Sequence, residues 1–107
     1  MTGMNLSQYQ TAALRTVNPA LTADERLLDA AAGLAEEAGE VLGLVRKRAF
    51  QQREIESERF VEELGDVLWC AAVTADALGL SLADVAQANL RKLEQRHPGG
   101  FQAGDRR

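Results

Sequence analysis

Leu27, Ala31, Leu34, Ala38, Val41, Leu42 and Val45 recur at three- and four-residue spacing through a stretch that contains no proline. An apolar stripe held at that period for about five turns admits one outcome, a long amphipathic helix. Thr22, with Glu25 three residues on, is a capping-box start for it, and the pattern runs to about Phe50. The stretch "QQREIE" then breaks the period. Ser57 is the expected N-cap of a second long helix, which ends near Gly79 and has Phe60, Leu64, Val67, Ala71 and Leu78 as its stripe. A shorter helix over Leu6–Val17 precedes the pair, stopped by Asn18-Pro19 because the residue before proline is driven out of the α region. Another opens at Ser81, with Asp84 as its capping-box acid, and stops before "HPGG". No strand pattern and no repeat is visible. Two helices of about 23 to 27 residues each span roughly 35–40 Å, too long for so small a chain unless they pack antiparallel. The expected fold is therefore all-α, a four-helix bundle-type domain built on two long antiparallel helices.

At 107 residues the chain is expected to form one domain over 1–107, with an ordered helical core from about 5 to 98 and a loose tail from 102 to 107. The net charge of −4 argues against a nucleic-acid polymer or an anionic membrane surface as partner. Cys70 is the one cysteine, so an internal disulfide is ruled out and a reducing compartment suits the chain. The start "MTGMNLSQYQ" has no basic region followed by an apolar run, and no apolar stretch approaches the ~20 residues of a membrane helix. A cytoplasmic location is the expectation.

The chemistry concentrates in two short stretches, "LAEEAGEV" at 34–41 and "EELGDV" at 62–67. Glu37 and Glu40 lie one turn apart on one helix, and Glu63 and Asp66 repeat that spacing on the next. If the helices pack through their stripes, these four carboxylates converge across the seam. None of Glu36, Glu37, Glu40, Glu62, Glu63 and Asp66 has Lys or Arg three or four residues downstream, whereas a solvated helix face normally interleaves the two signs. "VLWCAAV" after Asp66 is apolar right round, so this part of the helix is expected to be buried on all sides. Carboxylates at the mouth of such a seam are protonated, paired or bound to a cation. Oxygen ligands without His or Cys select Mg²⁺ or Mn²⁺. A di-iron bundle needs Glu-x-x-His pairs, and the single histidine, His97, is far from both clusters. An exposed acidic rim is the structural alternative.

Glu36-Glu37-x-x-Glu40, a spacer and then Glu63-x-x-Asp66 resembles the EExxE…ExxD signature of the all-α nucleoside triphosphate pyrophosphohydrolases. The flanks "LAEEAGEVLGLVRK", "EELGDVLW" and "ANLRKLEQRHPGGF" look like the MazG-like branch, and the resemblance runs from about Tyr9 to Phe101. It implies Mg²⁺-dependent hydrolysis of a nucleoside triphosphate between the α and β phosphorus, giving monophosphate and pyrophosphate, with nucleotide-pool sanitation as the usual role. It assigns Glu37, Glu40, Glu63 and Asp66 as metal ligands. Glu36 joins Glu37 as a catalytic candidate, holding a further metal or positioning the water, although its outward angle equally suits a solvated residue. Asn89 and Lys92 match the family's N-x-x-K stretch and are candidate sugar or phosphate contacts.

Lys47, seven residues after Glu40, reaches along the same face as a further substrate candidate, or serves with the "RKR" run at 46–48 to stabilise the helix C-terminus. Arg96 is similarly two-sided. Trp69 suits base stacking or core packing. Cys70 stands where many relatives carry an aromatic, so substrate choice does not carry over, and no base lies nearby in sequence to make it a nucleophile. Relatives form tight dimers, often pairs of dimers, so a homodimer or homotetramer is expected. The rival readings are a phosphoribosyl-ATP pyrophosphohydrolase-like enzyme and a non-catalytic helical module that binds nucleotide or a partner.

Overall fold

The computed structural model describes residues 3–105. It holds four helices and, among those residues, no strand: α1 Leu6–Leu14, α2 Ala23–Phe50, α3 Ser57–Ala77 and α4 Leu82–Arg96. The all-α expectation holds, and no single helix is long and apolar enough to cross a membrane.

The caps explain most of the boundaries. Thr22 accepts from the Glu25 amide while the Glu25 carboxylate accepts from the Thr22 amide, a complete capping box for α2. Asn5 and Gln8 build the same device for α1. At α4, Ser81 accepts from the Asp84 amide, which is one half of the expected box. The expected cap at Ser57 is displaced: Ser57 is the first helical residue, and Glu56 precedes it without a side-chain cap bond. α1 also ends earlier than Val17. Its last carbonyls are taken in a tightened turn, Arg15, Thr16 and Val17 each donating three residues back, while the Thr16 hydroxyl donates to the Ala13 carbonyl at 2.7 Å. α3 closes on Gly79 at φ +74, with the Leu80 amide donating to the Ala75 carbonyl and the Gly79 amide to that of Asp76. That left-handed position favours glycine.

Three contacts set the direction of the long pair. Arg26 meets Asp76 at 3.4 Å, Gly33 abuts Cys70, and the Arg48 guanidinium lies 5.7 Å from the centre of the Phe60 ring. Partners on α3 descend as residues on α2 rise, so the helices are antiparallel. The packed face overlaps the expected stripes in part: Leu27, Leu34, Val41, Phe60, Val67 and Ala71 are half-buried. On α2 it runs through Ala30, Gly33 and Leu44, and on α3 through Cys70 and Val73, whereas Leu42, Val45 and Leu64 remain exposed. Nor is "VLWCAAV" buried all round, since Leu68 keeps 39% of its surface exposed.

α1 and α4 are attached to α3 by a buried amide. Gln10 Nε2 donates to the carbonyls of Ala72 (3.0 Å) and Leu80 (3.3 Å), and Gln10 Oε1 accepts from the Leu82 amide (2.9 Å). α4 then leaves α3 at a bend of 103°. It contacts α1 and α3 but not α2. The segment expected to be loose from 102 is tied back as far as Asp105, whose carboxylate accepts from the Gln102 amide and bonds His97 Nδ1, each at 2.8 Å. Residues 106 and 107 lie outside the described residues.

Candidate metal centre

Carboxylates occupy positions on the packed faces of α2 and α3 where apolar residues would otherwise sit. Glu37 follows Gly33 by one turn. Glu63 and Asp66 precede Cys70 by two turns and one. One carboxylate oxygen from each of Glu37, Glu63 and Asp66 lies within 4.8 Å of the other two. Glu37 and Glu63 are half-buried and Asp66 is exposed. Glu40, expected to converge with them, is outside this group and exposed. The same three-residue spacing brings Asp66 in beside Glu63, so spacing alone does not place Glu40. Glu36 is exposed as well, but its charge reaches Glu37.

The electrostatics fit a hard cation. Glu37 is raised from 4.5 to about 7, first by a hydrogen bond with Glu63, then by burial and by the charges of Asp66, Glu63 and Glu36. A raised carboxyl is the response of like charges brought together. Among the described residues the ion pairs are Arg26–Asp76 and His97–Asp105, so no Lys or Arg neutralises the cluster. Three convergent oxygens with no nitrogen or sulfur partner suit Mg²⁺ or Mn²⁺.

The other candidates are distributed around this centre. Lys47 is exposed in the last turn of α2. Asn89 and Lys92 are exposed on α4, as is Arg96. Since α4 makes no contact with α2, the single chain does not bring Asn89 or Lys92 onto the helix that carries Glu36, Glu37 and Glu40. Trp69 is engaged in packing, its Nε1 donating to the Thr16 hydroxyl at 2.8 Å. Cys70 is buried. Its thiol is raised above the usual range by burial and then by Glu37, Asp66, Asp29 and Glu36, which leaves it protonated and unreactive. Sequence reasoning misses Tyr9. Its phenol is raised above the usual range, first by burial and then by Asp66 and Cys70. The available signal was its spacing on α1, four residues before the buried Ala13.

Residues 26–101 match the MazG nucleotide pyrophosphohydrolase domain. The chain is 36% identical over 72 residues to "Uncharacterized protein YvdC" of Bacillus subtilis (strain 168), covering 59% of this chain and 68% of that protein. It is likewise 36% identical over 76 residues to "Gene 37 protein" of Mycobacterium phage L5, covering 67% of each. No solved structure matches it. The chain belongs to the MazG nucleotide pyrophosphohydrolase family.

Proposed function

We propose that this protein hydrolyses nucleoside triphosphates between the α and β phosphorus, releasing monophosphate and pyrophosphate, with Mg²⁺ as its cofactor and Mn²⁺ as a substitute. The observation that carries this reading is the convergence of Glu37, Glu63 and Asp66 within 4.8 Å, without a basic partner, in a MazG domain. A divalent cation supplies charge neutralisation of the phosphates and a lowered pKa for a bound water. Glu37, Glu63 and Asp66 hold that cation, Glu40 joins from the rim, and Glu36 orients the water. The proton that the raised Glu37 carboxyl holds would leave when the cation binds. Lys47 meets the phosphates. The role we assign is removal of damaged or surplus nucleotides from the pool.

A second copy of the chain completes the molecule. A compact monomer of 11.6 kDa exposes about 5,800 Å², whereas this chain exposes 8318 Å². Its radius of gyration is 16.6 Å, against about 13 Å for a compact chain of this length. Leu42, Val61 and Leu64 keep 58, 68 and 55% of their surface exposed on the α2–α3 hairpin. A homodimer or homotetramer that covers this face also offers the route by which Asn89 and Lys92 of one copy approach the carboxylates of another.

Phosphorus NMR of a panel of canonical and oxidised nucleoside triphosphates, incubated with protein and Mg²⁺, tests the reaction. Paired appearance of monophosphate and pyrophosphate is expected. Orthophosphate release, or no turnover with either Mg²⁺ or Mn²⁺, would refute it.

A further inference from the structure

The connector between α2 and α3 reverses the charge of the chain. Residues 46–59 carry five basic side chains against three acidic ones, whereas the net charge of the whole chain is −4. α2 ends at Phe50, and Gln52 then takes the left-handed conformation at φ +51, which is costly for a residue with a β-carbon. The chain folds back there onto the end of the helix. The Gln51 and Arg53 amides both donate to the Lys47 carbonyl, at 3.2 and 3.3 Å. This turn carries Arg53 back beside Arg48, which stands in the last turn of α2.

Arg48, Gln52, Arg53, Glu54, Ile55 and Glu56 line a cavity of about 550 Å³, a size that small-molecule sites share. The Arg48 guanidinium lies over the Phe60 ring, 5.7 Å from its centre, a cation–π contact that orients it. Neither guanidinium is neutralised by the glutamates of the same wall, since among the described residues the ion pairs are Arg26–Asp76 and His97–Asp105. Two planar forks in one wall can share the oxygens of a phosphate, whereas a carboxylate has oxygens for one. Glu54 and Glu56 add acceptors for hydroxyls carried beside that phosphate. Roughly 16 Å of helix separates Arg48 from Glu37, so the cavity stands apart from the carboxylate centre.

We propose that this cavity binds a sugar phosphate, its phosphate on Arg48 and Arg53 and its hydroxyls on Glu54 and Glu56. The site does not depend on the hydrolase reading. It is tested on the whole protein in EDTA, with no cation at the carboxylates, and at about 0.15 M salt to screen diffuse attraction. Ribose 5-phosphate titrated into ¹⁵N-labelled protein should shift the backbone amides of residues 52–56, and ribose should not. Inorganic phosphate should bind more weakly, because it brings the glutamates no sugar hydroxyl. Arg53→Gln should weaken ribose 5-phosphate binding at least about tenfold, the scale of a lost hydrogen bond to a charged group, and Arg48→Gln likewise. Both arginines are exposed, so neither replacement disturbs the core. Arg46→Gln removes the same charge from a residue outside the lining and should bind as the wild type does. Amides that stay still, or move as far with ribose, would overturn the inference. So would an Arg46→Gln protein weakened as much as Arg53→Gln, since the connector would then attract anions only through its net charge. Inorganic phosphate held as tightly as ribose 5-phosphate would overturn the part given to the glutamates.

Discussion

Cys70 Sγ lies 3.1 Å from the position a β-carbon would take on Gly33, one turn before Glu37 on α2 and one turn past Asp66 on α3. This close approach sets how far apart the two long helices stand beside the carboxylates. Gly33→Val forces them apart and is expected to destabilise the protein by about 1–3 kcal/mol through overpacking, while weakening Mg²⁺ affinity. Gly39 is the control, since a β-carbon there meets nothing within 4 Å. Gly39→Ala should stabilise the helix by up to ~1 kcal/mol through propensity alone. Thermal denaturation of both variants checks the contrast, and a harmless Gly33→Val would mean that the seam is not tight at this level.

Gln10 makes a different kind of demand. Its amide links the Ala72 and Leu80 carbonyls to the Leu82 amide, joining α1, α3 and the start of α4. Gln10→Leu fills the same space but strips the Leu82 amide of its acceptor. The expected loss is about 1–3 kcal/mol, the cost of an unsatisfied buried polar group. It would appear as a lower urea midpoint with Mg²⁺ affinity unchanged in the folded protein.

The helices and most of their ends were readable from the chain because capping and periodicity are local. Thr22–Glu25 announced α2, and Gly79 closes α3 where the pattern stopped. The packed faces were readable only in part. A helix with apolar residues on two sides does not say which side meets its neighbour in the chain, so Leu42 and Leu64 looked like core and are exposed. The spacing of Glu37, Glu63 and Asp66 pointed to convergence, but Glu40 followed the same spacing and lies outside. Gln10 bonds a carbonyl 62 residues further along the chain, and no local pattern reports such a partner.

The exposed hairpin face supplies the next test. Leu64 and Val61 sit one turn apart and point outward. A charge there leaves the α2–α3 seam untouched but cannot be covered by a second copy. If the proposed dimer or tetramer forms through this face, Leu64→Glu should be monomeric in analytical ultracentrifugation where the wild type is not. Thr11→Glu, on the exposed side of α1, should not. An unchanged assembly in Leu64→Glu would move the interface elsewhere.

The raised Glu37 carboxyl makes stability depend on pH with a definite sign. Glu37 titrates near 4.5 in an unfolded chain and at about 7 in the folded one. Between those values the folded state holds a proton that the unfolded state has released, so without metal this group's contribution to stability falls as pH rises through that window and is level above it. Glu63→Gln removes the partner carboxylate that contributes most to the rise. Its melting temperature should therefore decline less than that of the wild type between pH 5 and 7.5, and exceed it at the upper end. The same variant should bind Mg²⁺ at least about tenfold more weakly, since a ligand and a charge are both lost. Calorimetry closes the circle. Mg²⁺ binding to the wild type at pH 6 should release protons, seen as a heat that varies with the ionisation enthalpy of the buffer, and this dependence should fade by pH 8.5. If the two proteins lost stability in parallel, or the heat ignored the buffer, then Glu37 would not be holding a proton beside Glu63, and their convergence would not be what prepares the seam for a cation.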